Sequence, residues 1–314
     1  MKWEKHGLII KTPARSTTKL THAMVPSPVR LKNGDIRLYF NQLDHFNQSS
    51  PTFADVCGDD PSKIKFLNSV PLLSTAVNGC FDDSGVHACS FLSLPNDIVH
   101  MYYSGYEICE KIPYRIMTGL AISSDAGRTF VRYRDTPILD RINDELFVRG
   151  GPCCIHDKGI FRMWYVAGSQ WINIKNLGQK PSYSIHYLES QDGLNWTSKP
   201  EKHLIADTNS WYALGRPYVF KISPNSYKMI YSQRHIKDGS YHMNMASSDD
   251  GYQWSYNHHK NNLGIETSTS HFENKSVQYG SFLRGKDKAY CFYNGNDYGL
   301  DGVAFATSDL INFF

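Results

Sequence analysis

The stretch Met101-Tyr102-Tyr103-Ser104-Gly105 decides the fold because it returns four times. Its copies are Leu38-Tyr39-Phe40, Met163-Trp164-Tyr165, Met229-Ile230-Tyr231-Ser232 and Cys291-Phe292-Tyr293-Asn294-Gly295. Aligned on Phe40, Tyr103, Tyr165, Tyr231 and Tyr293, they lie 63, 62, 66 and 62 residues apart. Short apolar and aromatic runs of this kind suit strands. Near-equal spacing of one unit along a whole chain marks a repeat architecture.

Two further registers accompany the copies, the first of them after four of the five. That first register is a turn: Ser123-Ser124-Asp125-Ala126-Gly127-Arg128-Thr129-Phe130, Ser190-Gln191-Asp192-Gly193-Leu194-Asn195-Trp196, Ser248-Asp249-Asp250-Gly251-Tyr252-Gln253-Trp254 and Thr307-Ser308-Asp309-Leu310-Ile311-Asn312-Phe313. The Asp carboxylate accepts backbone N–H groups across such a turn, Gly permits a positive φ, and the aromatic residue re-enters the space between sheets. These corners are read as folding devices. About a dozen residues before each aromatic strand comes a segment of small residues and prolines: Pro26-Ser27-Pro28-Val29, Ala88-Cys89-Ser90-Phe91, Gly151-Pro152-Cys153-Cys154-Ile155, Arg216-Pro217-Tyr218-Val219 and Tyr279-Gly280-Ser281-Phe282. These are read as innermost strands converging on a crowded axis.

One repeat is then an inner strand, an aromatic strand, a third strand ending at the corner and an outer strand. That is the four-stranded blade of a β-propeller, and five copies predict five blades. A solenoid is the rival for such a period, but its units are usually shorter and often helical, and no sustained 3.6-residue stripe occurs here. The predicted limits are 21–74, 80–139, 145–206, 211–266 and 272–314 within a single all-β domain. The fifth copy stops at Phe314 without an outer strand. Residues 1–12, with Trp3-Glu4-Lys5-His6-Gly7-Leu8-Ile9-Ile10, are expected to supply it by pairing with residues 300–313 and closing the ring.

Composition agrees with a large folded domain. Of 314 residues 41% are hydrophobic, with 20 Tyr, 16 Phe and 6 Trp, which is too apolar for disorder. A net charge of +3 from 33 basic and 30 acidic residues contains no basic tract dense enough to follow a phosphate backbone, so nucleic acid is not an expected partner. No apolar run approaches a spanning helix or a signal-peptide core, and a soluble cytoplasmic protein without a membrane partner is expected. The seven cysteines lack the paired short spacings of a zinc site and are read as reduced thiols. No cofactor or metal is expected.

With the corners, the Met-Tyr-Tyr-Ser-Gly and Met-Trp-Tyr strands, Phe81-Asp82-Asp83-Ser84-Gly85-Val86 and Phe292-Tyr293-Asn294-Gly295-Asn296-Asp297-Tyr298-Gly299, the chain resembles the five-bladed propellers of glycoside hydrolase families 32, 43, 68 and 130. It is most similar to uncharacterised bacterial proteins that resemble family 43 and accompany surface-polysaccharide genes. The resemblance covers nearly the whole chain and implies a sugar entering an axial funnel, with two carboxylates from different blades acting there. One departure stands out. Such hydrolases usually carry an Asp near the start of the first inner strand, where this chain has Thr21-His22-Ala23-Met24-Val25-Pro26; neither a Trp-Met-Asn-Asp-Pro nor an Arg-Asp-Pro signature occurs.

Candidate site residues follow from position. Glu145, four residues before Arg149, is the candidate general acid; a structural ion pair is its alternative. Asp82 and Asp83, before the second inner strand, are candidates for a base or a sugar-orienting group, against a simple loop turn. Arg149 and Arg216 are candidate anchors for hydroxyl, phosphate or carboxylate groups. Trp211 and Tyr212 offer stacking faces, while Gln278, Tyr279, His22 and Asn296 are expected to border the funnel as hydrogen-bonding groups. No Gly-x-Ser-x-Gly elbow or His-Glu-x-x-His helix is present. The functions left open are a glycosidase-like enzyme of polysaccharide metabolism, a phosphorylase or glycosyltransferase using a sugar phosphate or nucleotide-sugar, and a non-catalytic glycan-binding propeller. The expected ligand is a sugar or sugar phosphate.

Overall fold

The computed structural model of the chain describes residues 1–12, 20–207 and 209–313; Phe314, the predicted end of the last repeat, lies outside them. The architecture is all-β, and its only helical segments among the described residues are two single 3-10 turns. Strand β1 (Glu4–Lys11) comes first. The first repeat forms β2 (Thr21–Arg30), β3 (Ile36–Leu43), β4 (Ser49–Val56) and β5 (Ile64–Leu67). The second forms β6 (Gly85–Ser93), β7 (Val99–Ile108), β8 (Tyr114–Ser123) and β9 (Val131–Arg132). The third forms β10 (Val148–Asp157), β11 (Ile160–Ile174), β12 (Gly178–Ser190) and β13 (Glu201–Leu204), and the fourth β14 (Trp211–Ser223), β15 (Ser226–His235) and β16 (Tyr241–Ser248). The last repeat holds β17 (Gln278–Arg284), β18 (Lys288–Asn294) and β19 (Gly302–Asp309).

Within each repeat consecutive strands pair antiparallel. The N-terminal strand pairs with β19, from Glu4 opposite Thr307 to Lys11 opposite Gly302, giving the order β1-β19-β18-β17. The innermost strands lie side by side in the sequence β2, β6, β10, β14, β17, and β17 lies beside β2.

Repetition of the sequence becomes repetition of contacts. Asp125, Asp192 and Asp250 each use Oδ1 to accept two successive backbone N–H groups across the turn, with glycines at φ 79°, 70° and 75°. The aromatic residue after each corner packs on a ring of the preceding repeat: Phe130 on Tyr39, Trp196 on Tyr102, Trp254 on Trp164 and Phe313 on Phe220. Edge-to-face pairs of this sort contribute about 0.5–1.5 kcal/mol each beyond the area they bury. Tyr39 and Tyr102 also donate to the carbonyls of Gly127 and Gly193 in the following corner.

A second recurring bond bears on the centre of the molecule. Each innermost strand carries a β-bulge at the same place: Met24–Ser27, Ala88–Ser90, Gly150–Cys153, Gly215–Tyr218 and Gln278–Ser281. At four of these a residue takes left-handed backbone geometry, namely Val25, Gly151, Arg216 and Tyr279, with φ between 51° and 59°. The residue after the aligned aromatic accepts the backbone N–H at the next repeat's bulge. Asn41 takes it from Ala88, Ser104 from Gly151, Ser232 from Tyr279 and Asn294 from Val25, at 2.7–2.9 Å. In the third repeat that position is Val166, which has no oxygen to offer Arg216.

Candidate functional site: an axial cavity rich in tyrosine and arginine

Bulges re-aim side chains, and the bulged strands enclose a cavity of about 270 Å³ to which every innermost strand contributes: Val25 from β2, His87 from β6, Gly151 from β10, Arg216 from β14 and Tyr279 from β17. Its upper wall comes from the far ends of second and third strands, with Tyr106, Tyr114, Tyr183, Arg234 and Tyr241, and from the loop residue Tyr298. Among the described residues no carboxylate lines it.

Arg216 lies in this cavity and is 4% exposed. Its Nη2 reaches across to the first repeat, donating to the Pro26 carbonyl at 3.1 Å and Ser27 Oγ at 2.7 Å. Its Nε and Nη1 are buried without a hydrogen-bond partner. Arg234 stands in the wall with its guanidinium carbon 4.8 Å from the Tyr241 ring centre and 5.3 Å from that of Tyr212, and it donates to Tyr298 Oη at 3.3 Å. Burial opposes its charge, yet the surrounding phenols raise its pKa further, so it stays a cation. Burial also raises the Tyr106, Tyr114, Tyr183 and Tyr279 phenols, keeping them protonated and able to donate. His87 is lowered to about 4, first by burial and then by His22, and is neutral at pH 7.

A second, polar cleft shares Arg234, Tyr241 and Tyr298 with this cavity and continues past Gln278 and Asn296 to Asp238 and Asp297. Gln278 donates from Nε2 to the Gly295 carbonyl at 2.6 Å and leaves Oε1 buried and unpartnered. Asn296 is fully used, accepting from the Lys275 and Ser276 amides and donating to the His271 carbonyl and Asn274 Oδ1.

The remaining candidates lie elsewhere. Glu145 is 1% exposed and accepts from Tyr165 Oη at 2.8 and 3.0 Å, pairs with His186 Nδ1 at 2.6 Å and with Arg149 Nε at 2.5 Å. Burial alone would raise its pKa; the bonds from His186, Arg149 and Tyr165 outweigh that and hold it below the usual value. Asp82 accepts from Tyr103 Oη at 3.0 Å and Arg132 Nε at 2.9 Å. Glu273, which the motifs did not single out, accepts from Tyr293 Oη at 2.8 Å and pairs with Lys5 at 3.1 Å. The three carboxylates therefore do one job, taking the phenol of the aligned aromatic residue in their own repeat beside a cation. Tyr231 meets His258 Nδ1 instead, and Phe40 has no hydroxyl to place. Glu145, Arg149 and Asp82 do not line the axial cavity.

Asp83 closes a turn, accepting from the Gly79 amide and the Ser84 hydroxyl. Trp211 packs against His235 and His242, and Tyr212 is buried under Arg234; neither lines the cavity. His22 bonds Thr21 and sits near His87 without lining the cavity. Arg216 and Tyr279 are thus the candidates that line this cavity together, with Gln278 and Asn296 in the adjoining cleft. Missed were Arg234 and Tyr106, three residues beyond the aligned aromatic positions, Tyr114 and Tyr241, which open third strands, Tyr183 within β12, and the loop residue Tyr298. Among the described residues no three His, Cys, Asp or Glu side chains assemble as metal ligands, and no helix is long and apolar enough to cross a membrane.

No protein-family model matches the chain. A protein of Mycobacterium tuberculosis described as uncharacterised is 28% identical over 306 residues, 98% of this chain and 99% of its own. Among solved structures, a BT0996 RGII complex matches at a TM-score of 0.76 and 18% identity, covering 98% of this chain and 91% of that one. A thermostable family-43 glycoside hydrolase matches at 0.67 and 16%, covering 92% and 89%. The β-1,2-mannobiose phosphorylase from Listeria innocua, in complex with β-1,2-mannobiose, matches at 0.72 and 10%, covering 100% and 98%. The chain therefore shares its fold with glycoside hydrolase-like proteins and with a phosphorylase.

Proposed function

We propose that the chain is a closed five-bladed β-propeller and a carbohydrate-active protein whose axial cavity receives a sugar unit. The blades are the five repeats, with β1 completing the last. The adjacency of β17 and β2 and the bond from Val25 N–H to Asn294 Oδ1, which joins the first repeat to the last, support a ring.

One observation carries the functional reading: tyrosines and two arginines gather where the innermost strands converge, in a space whose volume is near the lower end of small-molecule pockets, about 300–1,000 Å³. Tyrosines offer apolar ring faces to C–H groups and protonated hydroxyls to sugar oxygens. The polar cleft beyond Arg234 fits a second unit. In this reading Glu145, Asp82 and Asp83 hold the frame rather than move protons.

A glycosyl-hydrolysing or glycosyl-transferring role is a second reading, favoured by Asp238 and Asp297 in the adjoining cleft. Calorimetric titration of the purified chain with neutral and charged mono- and disaccharides tests the first reading, since a ligand of the native state binds measurably and raises the unfolding temperature. Absence of binding by every saccharide removes it. Loss of product formation in Asp238→Asn or Asp297→Asn, with binding retained, supports the second.

A further inference from the structure

Three arginines are buried to 5% exposure or less, and their surroundings differ in kind. Arg37 faces Asp55 through two bonds, Nε to Oδ1 at 2.7 Å and Nη2 to Oδ2 at 2.8 Å. Arg149 faces Glu145. Arg216 has no carboxylate partner among the described residues: Nη2 meets a carbonyl and a hydroxyl, the guanidinium carbon lies 5.4 Å from the Tyr218 ring centre, and the other two nitrogens have no hydrogen-bond partner. A buried charge without a counter-charge is among the costliest features a folded chain retains.

The backbone at Arg216 is left-handed, as it is at Val25, Gly151 and Tyr279 at the same bulge in other repeats. Left-handed geometry at φ 51° disfavours a large L side chain, and a glycine would relieve it. The third repeat in fact places Gly151 at its own left-handed bulge position. The oxygen that receives the bulge amide in the other repeats is replaced by Val166 opposite Arg216. A charge without a carboxylate and a missing acceptor oxygen thus coincide at one residue, and that residue lines the cavity. A repeat protein departs from its own pattern where function overrides folding.

We propose that the ligand of the axial cavity carries an oxyanion, a carboxylate or a phosphate on a sugar-sized molecule, and that Arg216 is its counter-ion. This rests on the saccharide reading of the same cavity and adds the charge class of the substrate. The Nη2 bonds to Pro26 and Ser27 orient the guanidinium and leave Nε and Nη1, on different edges, each with hydrogens free for an anion oxygen. Arg234 supplies a second positive charge from the wall, and the protonated tyrosines donate to the neutral hydroxyls. The absence of carboxylates from the lining of the described cavity removes the repulsion that would exclude such a ligand.

The test has a part that needs no ligand and a part that uses chosen probes. In the ligand-free chain, Arg216→Met keeps or raises the unfolding temperature, because it removes a buried charge that has no carboxylate partner and leaves the backbone as it was, whereas Arg37→Met lowers it by stranding Asp55. A fall for Arg216→Met as large as that for Arg37→Met, or failure of both Arg216→Met and Arg216→Lys to fold, assigns Arg216 to the frame and overturns the proposal. Titrations at constant ionic strength then use inorganic phosphate, glucose 1-phosphate, glucuronate and glucose. The expected result is stabilisation by at least one anionic probe and not by glucose, with affinity weakened roughly thirtyfold or more in Arg216→Met and partly kept in Arg216→Lys. Glucuronate acting alone identifies a carboxylate ligand; glucose 1-phosphate or phosphate identifies a phosphate. Equal binding of glucose and glucuronate, unchanged by Arg216→Met, overturns the charge assignment and leaves the saccharide reading standing. Binding by none of the four, in a chain that also binds no disaccharide, ends both.

Discussion

Glu145 and Arg216 are both buried, both charged and both close to an innermost strand, yet one is saturated and the other is not. Glu145 takes hydrogen bonds from a phenol and an imidazole and is ion-paired with a guanidinium. Around Arg216 the protein provides a carbonyl, a hydroxyl and the Tyr218 ring face, and leaves two nitrogens without a hydrogen bond. Equivalent carboxylates recur as Asp82 and Glu273, each beside its repeat's tyrosine, while of the three arginines exposed by 5% or less Arg216 alone has no carboxylate among the described residues. Charge satisfied within the chain and repeated from sheet to sheet belongs to folding, and charge that is unique and unsatisfied belongs to a ligand.

The largest effect that can break this contrast is predicted for Glu145→Ala. It leaves Arg149 buried without its carboxylate and frees the Tyr165 phenol, so stability should fall by about 3–5 kcal/mol. Equilibrium urea unfolding measures it. A loss under about 1 kcal/mol, together with loss of ligand turnover, would return Glu145 to the candidate proton donors.

Tyr103→Phe comes next. It removes the phenol from Asp82, whose Oδ1 is already unpartnered, and leaves Arg132 as the remaining support. The expected cost is about 1–3 kcal/mol, with no change in ligand affinity by calorimetry. The first repeat makes this a fair comparison, since Phe40 stands at the aligned position with no carboxylate to serve.

The repeat was legible in the sequence because its devices are local. An Asp that accepts amides two and three residues ahead, a glycine at positive φ and an aromatic strand every 62 to 66 residues are all written in short stretches. The site was legible only in part, and for a physical reason: a carboxylate beside an inner strand reads the same whether it faces the axis or a tyrosine of its own repeat. Glu145-x-x-x-Arg149 therefore suggested an acid tuned by a cation, when the partner that fixes its role, His186, is 41 residues away. Arg216 was found because it precedes Pro217 on the fourth inner strand, with Trp211 and Tyr212 just upstream. Arg234 was not, because its relation to Tyr212, Tyr241 and Tyr298 exists only after β15, β16 and the last repeat's loop come together.

Acid separates the two regions at smaller amplitude. The His87 ring in the cavity wall is lowered from 6.5 to about 4 by burial. Between those values the unfolded chain binds a proton that the folded chain refuses, so stability falls as pH drops from about 6.5 toward 4. Because the ring is partly accessible from the cavity, its share between pH 6.5 and 5 should be about 1 kcal/mol. His203, also lowered to about 4 by burial, adds to the same slope. The carboxylate of Glu145, held low by its partners, contributes stability that persists through this window and is lost only at lower pH. Thermal unfolding of His87→Asn across pH 5 to 7 should show a shallower slope than the parent; an unchanged slope would place the titration outside the cavity.

The smallest expected effect is at Asp83, and it sharpens the comparison because its neighbour Asp82 is the buried latch. Asp83 accepts the Gly79 amide and the Ser84 hydroxyl at a half-exposed turn. An Asn side chain retains one carbonyl oxygen for the amide, so Asp83→Asn should cost under about 0.5 kcal/mol and leave ligand affinity unchanged. Two adjacent aspartates would then differ severalfold in their effect on stability, solely because one faces a tyrosine inside its repeat and the other faces water. If Asp83→Asn instead weakened ligand binding at unchanged stability, the binding surface would have to extend beyond the axial cavity to the loop before β6.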